Sequence, residues 1–261
     1  MLYIASKILS ESLLSLYPVF VKNIDLPIQT QMWSRFVTYT VISLFFIDKS
    51  IFSLLTSFYG IALMFVTILH VYVSYRGFLL LESGISYALF YTYPLFIYLG
   101  TYFSLTPYFI FPVIGTWLMY YDNKEINMLG VVMILLAAIT EAMIYFIVRK
   151  LKTSNPWNHV FMSYVLGTVL FAGFATTTEV VSISMVINAL IGLIGYLLRF
   201  LSISHLSPIT YSFLSYIGIV MAFVYGVIFN KESITIYKIM ATLLILIPSI
   251  QQIMKKNKAG E

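Results

Sequence analysis

Two stretches decide how this chain is read: ILSESLLSLYPVF, from Ile8 to Phe20, and AITEAMIYFIVRK, from Ala138 to Lys150. Each is apolar enough to lie in a bilayer, and each carries one glutamate, Glu11 or Glu141, well inside it. An ionisable side chain at that depth costs about 2.5–3.5 kcal/mol on insertion scales, so it marks a functional site unless something nearby neutralises it. Laid over one another, the stretches align Ser10 with Thr140 and Glu11 with Glu141.

The composition fits that setting. The chain is 61% hydrophobic and 10% charged, whereas soluble domains carry about 25% charged residues. Apolar runs recur along the whole length, which predicts a polytopic membrane protein. Spans are predicted over 2–21, 30–47, 51–74, 83–103, 107–121, 127–149, 157–175, 182–203, 207–229 and 234–254. Short polar or turn-forming dividers separate them, such as DKS, YDNKE and NKES. The first segment holds Glu11 where a signal core would be purely apolar, and no small-residue cleavage site follows, so it reads as a retained helix. Ten spans put both termini on one side. With the termini inside, the basic residues divide 9 to 6, and the clusters Arg149/Lys150/Lys152 and Lys255/Lys256/Lys258 both fall inside.

A second internal match starts at Tyr75 (YRGFLLLESGISYALFYTYPLFIYLGTYF) and at Leu198 (LRFLSISHLSPITYSFLSYIGIVMAFVYGVIF). It places Arg76 on Arg199, Tyr93 on Tyr216 and Tyr102 on Tyr225. The expected fold is therefore all-α, with ten transmembrane helices in two five-helix repeats, residues 1–121 and 122–261. Five is odd, so the second repeat enters the membrane inverted, and a binding site is expected near the midplane between the halves.

These stretches carry a resemblance. LGVVMILLAAITEAMIYFIVRKL resembles the start of the second repeat of EamA-type members of the drug/metabolite transporter superfamily. ISHLSPITYSFLSYIGIVMAFVYGVIFNKESITIYKIMATLLILI resembles its end. More distantly, KILSESLLSLYPVFVK is similar to the first helix of the small multidrug-resistance transporters, whose one essential glutamate binds protons or a cationic substrate. SGISYALF is similar to their aromatic-bearing helix. The resemblance implies a proton- or substrate-binding role for Glu11 and cavity-lining roles for Tyr87 and Phe90. The repeat offset carries the latter two onto Thr210 and Phe213. Tyr91, Tyr93 and Tyr216 join them as candidate lining residues.

Lys7 stands at i,i+4 to Glu11, a spacing that predicts an intrahelical ion pair. Glu141 has Ala137 and Tyr145 at those positions and no base on its own helix, so it is the favoured proton carrier. Arg76 and Arg199 stand at span ends, where snorkelling is the expectation. His70 is expected to be a core or interface residue, and Pro18 and Pro94 are expected to kink their helices.

There is no HExxH, GxSxG or phosphate-cradling glycine loop, and there are no cysteines. No enzyme, metal site, cofactor or nucleic-acid partner is expected. The reading is a secondary transporter in a cell membrane that exports small cationic or amino-acid-like metabolites in exchange for protons, as monomer or dimer. The alternatives are an importer or facilitator of a small metabolite such as a quaternary amine, and a non-transporting membrane scaffold.

Overall fold

The structure, a computed structural model, describes residues 2–102, 111, 114–115, 118, 126–151, 153, 155–173, 182–244 and 246–247, without the side chains of Ile209 and Phe213. The described residues are mostly helical, with no strand among them. The helices are α1 (Leu2–Leu14), α2 (Tyr17–Asn23), α3 (Ile28–Leu44), α4 (Ile51–Leu55), α5 (Phe58–Leu80), α6 (Ser83–Phe90), α7 (Tyr93–Tyr102), α8 (Met128–Lys150), α9 (Pro156–Leu170), α10 (Ile183–His205), α11 (Pro208–Ser215) and α12 (Ile217–Asn230). A further helical stretch begins at residue 236.

Five stretches are long and apolar enough to cross a membrane: Leu2–Asn23, Phe58–Leu80, Met128–Lys150, Ile183–His205 and Thr210–Asn230. Their outward faces carry large apolar side chains at mid-helix, among them Leu69, Leu136, Ile194 and Val220, as a lipid-facing surface requires. Helices α3 and α9, with 17 and 15 residues, coincide with two more of the predicted spans. Most of the predicted span 107–121, the end of the span 234–254 and the Lys255/Lys256/Lys258 cluster lie outside the described residues.

The first span is two helices rather than one, and Pro18 explains the break. A proline in a helix has no N–H to give the fourth preceding carbonyl, and its ring crowds that oxygen. Here that carbonyl belongs to Leu14, the last residue of α1. It accepts a hydrogen bond from the Tyr87 hydroxyl of α6 instead. Pro94 similarly follows the break between α6 and α7. The break between α11 and α12, at Tyr216, falls at the repeat position equivalent to Tyr93 but has no proline near it.

Close helix contacts depend on small residues. α5 lies along α8, with Gly77 against Ile134. α1 lies along α10, with Gly195 against Leu14. Gly192, one turn earlier on α10, leaves the space in which the Tyr17 and Tyr39 hydroxyls share a 2.5 Å hydrogen bond. At the far end, Glu232 ties the α12 terminus to the start of α6. It accepts from the Ser83 N–H at 2.7 Å, the Gly84 N–H at 3.2 Å and Lys22 at 3.2 Å. Burial opposes its ionisation, but these donors outweigh burial and hold the carboxyl below its usual range.

Two expectations follow. A Cβ at Gly192 would strike both tyrosine hydroxyls, so Gly192→Ala should destabilise the fold by about 1–3 kcal/mol, read as a lower melting temperature in detergent. A carboxyl depressed in the folded state stabilises above its unfolded pKa, about 4.3, and that contribution is lost as pH falls through the folded value. The melting-temperature gap between wild type and Glu232→Gln should therefore be widest near neutrality and close in acid.

Candidate functional site

The two glutamates are brought together by one arginine. Glu11 lies on α1 and Glu141 on α8, at 0% and 1% exposure. Arg199, on α10, reaches both. Its Nη1 donates to Glu141 Oε1 at 2.6 Å, and its Nη2 donates to Glu11 Oε1 and Oε2, each at 3.1 Å. The expectation that Arg199 snorkels to a membrane surface is thus corrected, for it is 1% exposed. The absence of a base on the helix of Glu141 is made good from another helix. The repeat counterpart, Arg76, is half-buried and makes no ion pair among the described residues.

Around this bridge the polar groups are connected. Lys7 pairs with Glu11 as the i,i+4 spacing predicts, and its Nζ lies 3.5 Å from the Tyr211 ring centroid and 3.3 Å from the Tyr93 hydroxyl. Tyr91 donates its hydroxyl to Glu11 Oε2. Tyr93 donates to Ser215 Oγ at 2.6 Å, which joins α7 to α11. Ser10 donates to the Gly195 carbonyl at 2.7 Å, holding α1 against α10 beside the bridge. Buried charges of this kind persist only when paired and hydrogen-bonded on several sides.

His70, on α5, is the partner the sequence leaves unassigned. Ala137 and Ala138 on α8 are small enough to let α5 approach. His70 Nδ1 lies 3.2 Å from the Ala137 carbonyl and 3.0 Å from Thr140 Oγ1. The carbonyl only accepts, so Nδ1 carries a proton. The other nitrogen, Nε2, faces Glu141 Oε2 at 3.4 Å and the Tyr196 hydroxyl at 3.4 Å.

A narrow cavity adjoins the bridge, lined by Leu14, Tyr17, Arg35, His70, Ser74, Phe78, Tyr87, Phe90, Tyr196 and Arg199. It has room for about one water molecule. The glutamates do not line it themselves; Arg199 and His70 stand between. Of the candidate lining residues, Tyr87 and Phe90 face the cavity, while Tyr91 and Tyr93 belong to the charge network. Tyr216 is buried at the α11–α12 break. Thr210 is half-buried, its hydroxyl 3.0 Å from Ser207 Oγ at the start of α11, and it is not among the cavity-lining residues. The Phe213 side chain lies outside the described residues.

Sequence reasoning passed over Arg35. It lies in the predicted span 30–47 and is 2% exposed on α3. The rule that singles out Glu11 applies equally to an arginine inside a span.

A comparison with curated proteins gives no match. A solved structure described as "Crystal structure of protein" shares the fold with a TM-score of 0.64, covering 100% of this chain and 98% of that chain at 14% identity. At that identity the likeness shows the fold alone. Residues 128–250, from α8 onward, match the family model described as the EamA-like transporter family; with the five stretches long and apolar enough to cross a bilayer, this supports a multi-pass integral membrane protein.

Proposed function

We propose that the chain is a proton-coupled secondary transporter that exports a small amino-acid-like metabolite by alternating access. It has ten helices in two inverted five-helix repeats, residues 1–121 and 122–261, and sits in a cell membrane with both termini cytoplasmic. The observation that carries this reading is the Glu141–His70 pair. With Nδ1 protonated, neutral His70 presents a lone pair from Nε2 toward Glu141 Oε2 at 3.4 Å. Glu141 Oε2 has no hydrogen-bond donor among the described residues and faces this second acceptor at 1–2% exposure, an arrangement that a proton on the pair relieves. That makes the pair the proton locus.

The proton acts through Arg199. Glu141 and Arg199 belong to the second half, and Glu11 belongs to the first. Ionised Glu141 competes with Glu11 for the guanidinium. A proton on Glu141 removes one of the two charges that balance Arg199 and leaves Glu11 as its counter-ion. Occupancy of Glu141 thereby sets how tightly Arg199 ties the halves together. The amino end of a substrate competes with the proton for the same carboxylate, which couples their opposite movements. A quaternary-amine carrier fits less well, because the aromatic faces of Tyr17, Tyr39, Tyr75, Tyr164 and Tyr196 are occupied by Arg35.

In proteoliposomes holding a pH-sensitive dye, wild-type protein should release protons from the acidic side when amino acids are supplied opposite. Glu141→Gln and His70→Asn should each abolish the proton signal. A Glu141→Gln protein that keeps its proton signal would refute the assignment.

A further inference from the structure

The cavity wall holds a cation, Arg35, with no counter-ion among the described residues. Arg35 sits mid-helix on α3, and no carboxylate among the described residues lies within 4.0 Å of it. Its Nη2 donates to the Tyr164 hydroxyl at 2.7 Å, and its Nε has no acceptor. The guanidinium carbon is 4.6–5.7 Å from the ring centroids of the five tyrosines named above. Ring faces attract a cation but do not cancel its charge.

The deficit is visible across the whole buried cluster. Among the described residues, Lys7, Arg35 and Arg199 are buried with two buried carboxylates, Glu11 and Glu141. Lys238, the remaining buried lysine among the described residues, has its own partner in Glu82. Arg199 is shared by both carboxylates and Glu11 also holds Lys7, so neither is spare for Arg35. One positive charge is left over beside the cavity, with neutral His70, Ser74, Tyr87 and Tyr196 as its other polar neighbours. A buried charge of this kind calls for an opposite charge and further hydrogen bonds.

We infer that Arg35 is the anchor for an acidic group, carboxylate or phosphate, on the transported molecule. The planar guanidinium fork suits a bidentate oxyanion. The cavity also presents Leu14, Phe78 and Phe90, which take the apolar body of the same molecule. With room for about one water at present, the site admits a metabolite only as its lining helices separate, as alternating access requires. This inference rests on the transporter reading and names its substrate class, but the acid end is independent of the proton locus at Glu141.

The test is binding to the purified, detergent-solubilised protein, read by its melting temperature. The probes are the common amino acids, each beside its C-terminal amide, together with benzoate, benzamide and phenyl phosphate. At least one acid should raise the melting temperature while its neutral amide does not. The benzoate and phenyl phosphate arms separate a carboxylate site from a phosphate site. Arg35→Gln should weaken the binding midpoint by about 30-fold or more, the loss expected when a buried charge pair loses one partner. Should Arg35→Gln fail to fold, Arg35→Lys keeps the charge and loses the fork, and it should bind the same acid measurably less tightly. The distinction between acid and amide is read on the wild-type protein, separately from its proton signal in proteoliposomes. If that distinction holds while proton coupling is absent, the coupling reading fails and Arg35 stands. If proton coupling holds while amides bind as well as acids, Arg35→Gln binds unchanged, or no acid shifts the melting temperature, the anchor is overturned.

Discussion

The packing of this protein is organised by a guanidinium that has to be neutralised away from water. Arg199 finds its counter-charges on two helices far apart in sequence, Glu11 on α1 and Glu141 on α8. Removing either carboxylate would leave the buried cations short of counter-charge, so the three helices meet at one level. The secondary partners extend the demand outward. Lys7 and Tyr91 satisfy Glu11, Tyr93 reaches Ser215, and His70 brings α5 onto α8. A network of this kind is high-stakes, because in a low-dielectric interior its bonds polarise one another and an unpaired member is costly.

The backbone around the network is made to yield at defined points. Pro18 ends α1 three residues beyond Glu11. The carbonyl it frees is claimed by Tyr87, which also lines the cavity. Ser15, in the same break, places its hydroxyl 2.6 Å from the Glu11 carbonyl and 2.9 Å from that of Gly218 on α12. Broken helices are tolerated at membrane depth where side chains take up the released backbone groups. In this protein the breaks adjoin the charged cluster, and the segments there are held by side chains rather than by continuous helix hydrogen bonds.

Much of the site was legible because its rules are local. A carboxylate in an apolar run stands out, and two in matching contexts stand out more. Lys7 was predictable from i,i+4 spacing, and the breaks near Pro18 and Pro94 from the missing N–H. Tyr87 and Phe90 came from the resemblance of SGISYALF. Arg199 was misjudged because it falls six residues before the end of α10, where a long side chain ordinarily reaches water. Whether it turns outward or inward depends on the helices beside it. His70 and the tyrosines around Arg35 carried no signal in a chain with 21 tyrosines, since any one of them fits lipid, interface or core equally well.

The sequence by itself determined the solvent and the building material: an apolar, charge-poor chain of helices in a bilayer, with two carboxylates too costly to be incidental. Each conclusion follows from composition or from spacing along one helix, which the chain carries before it folds. Only the tertiary structure decided what those carboxylates touch. Arg199 is 58 residues from Glu141 and 188 from Glu11, and no periodicity along the chain encodes that meeting. It arises because α1, α8 and α10 pack so that buried charges of opposite sign coincide. The same packing leaves Arg35 among tyrosines with no carboxylate beside it among the described residues, a surplus that appears only when the buried charges are counted together.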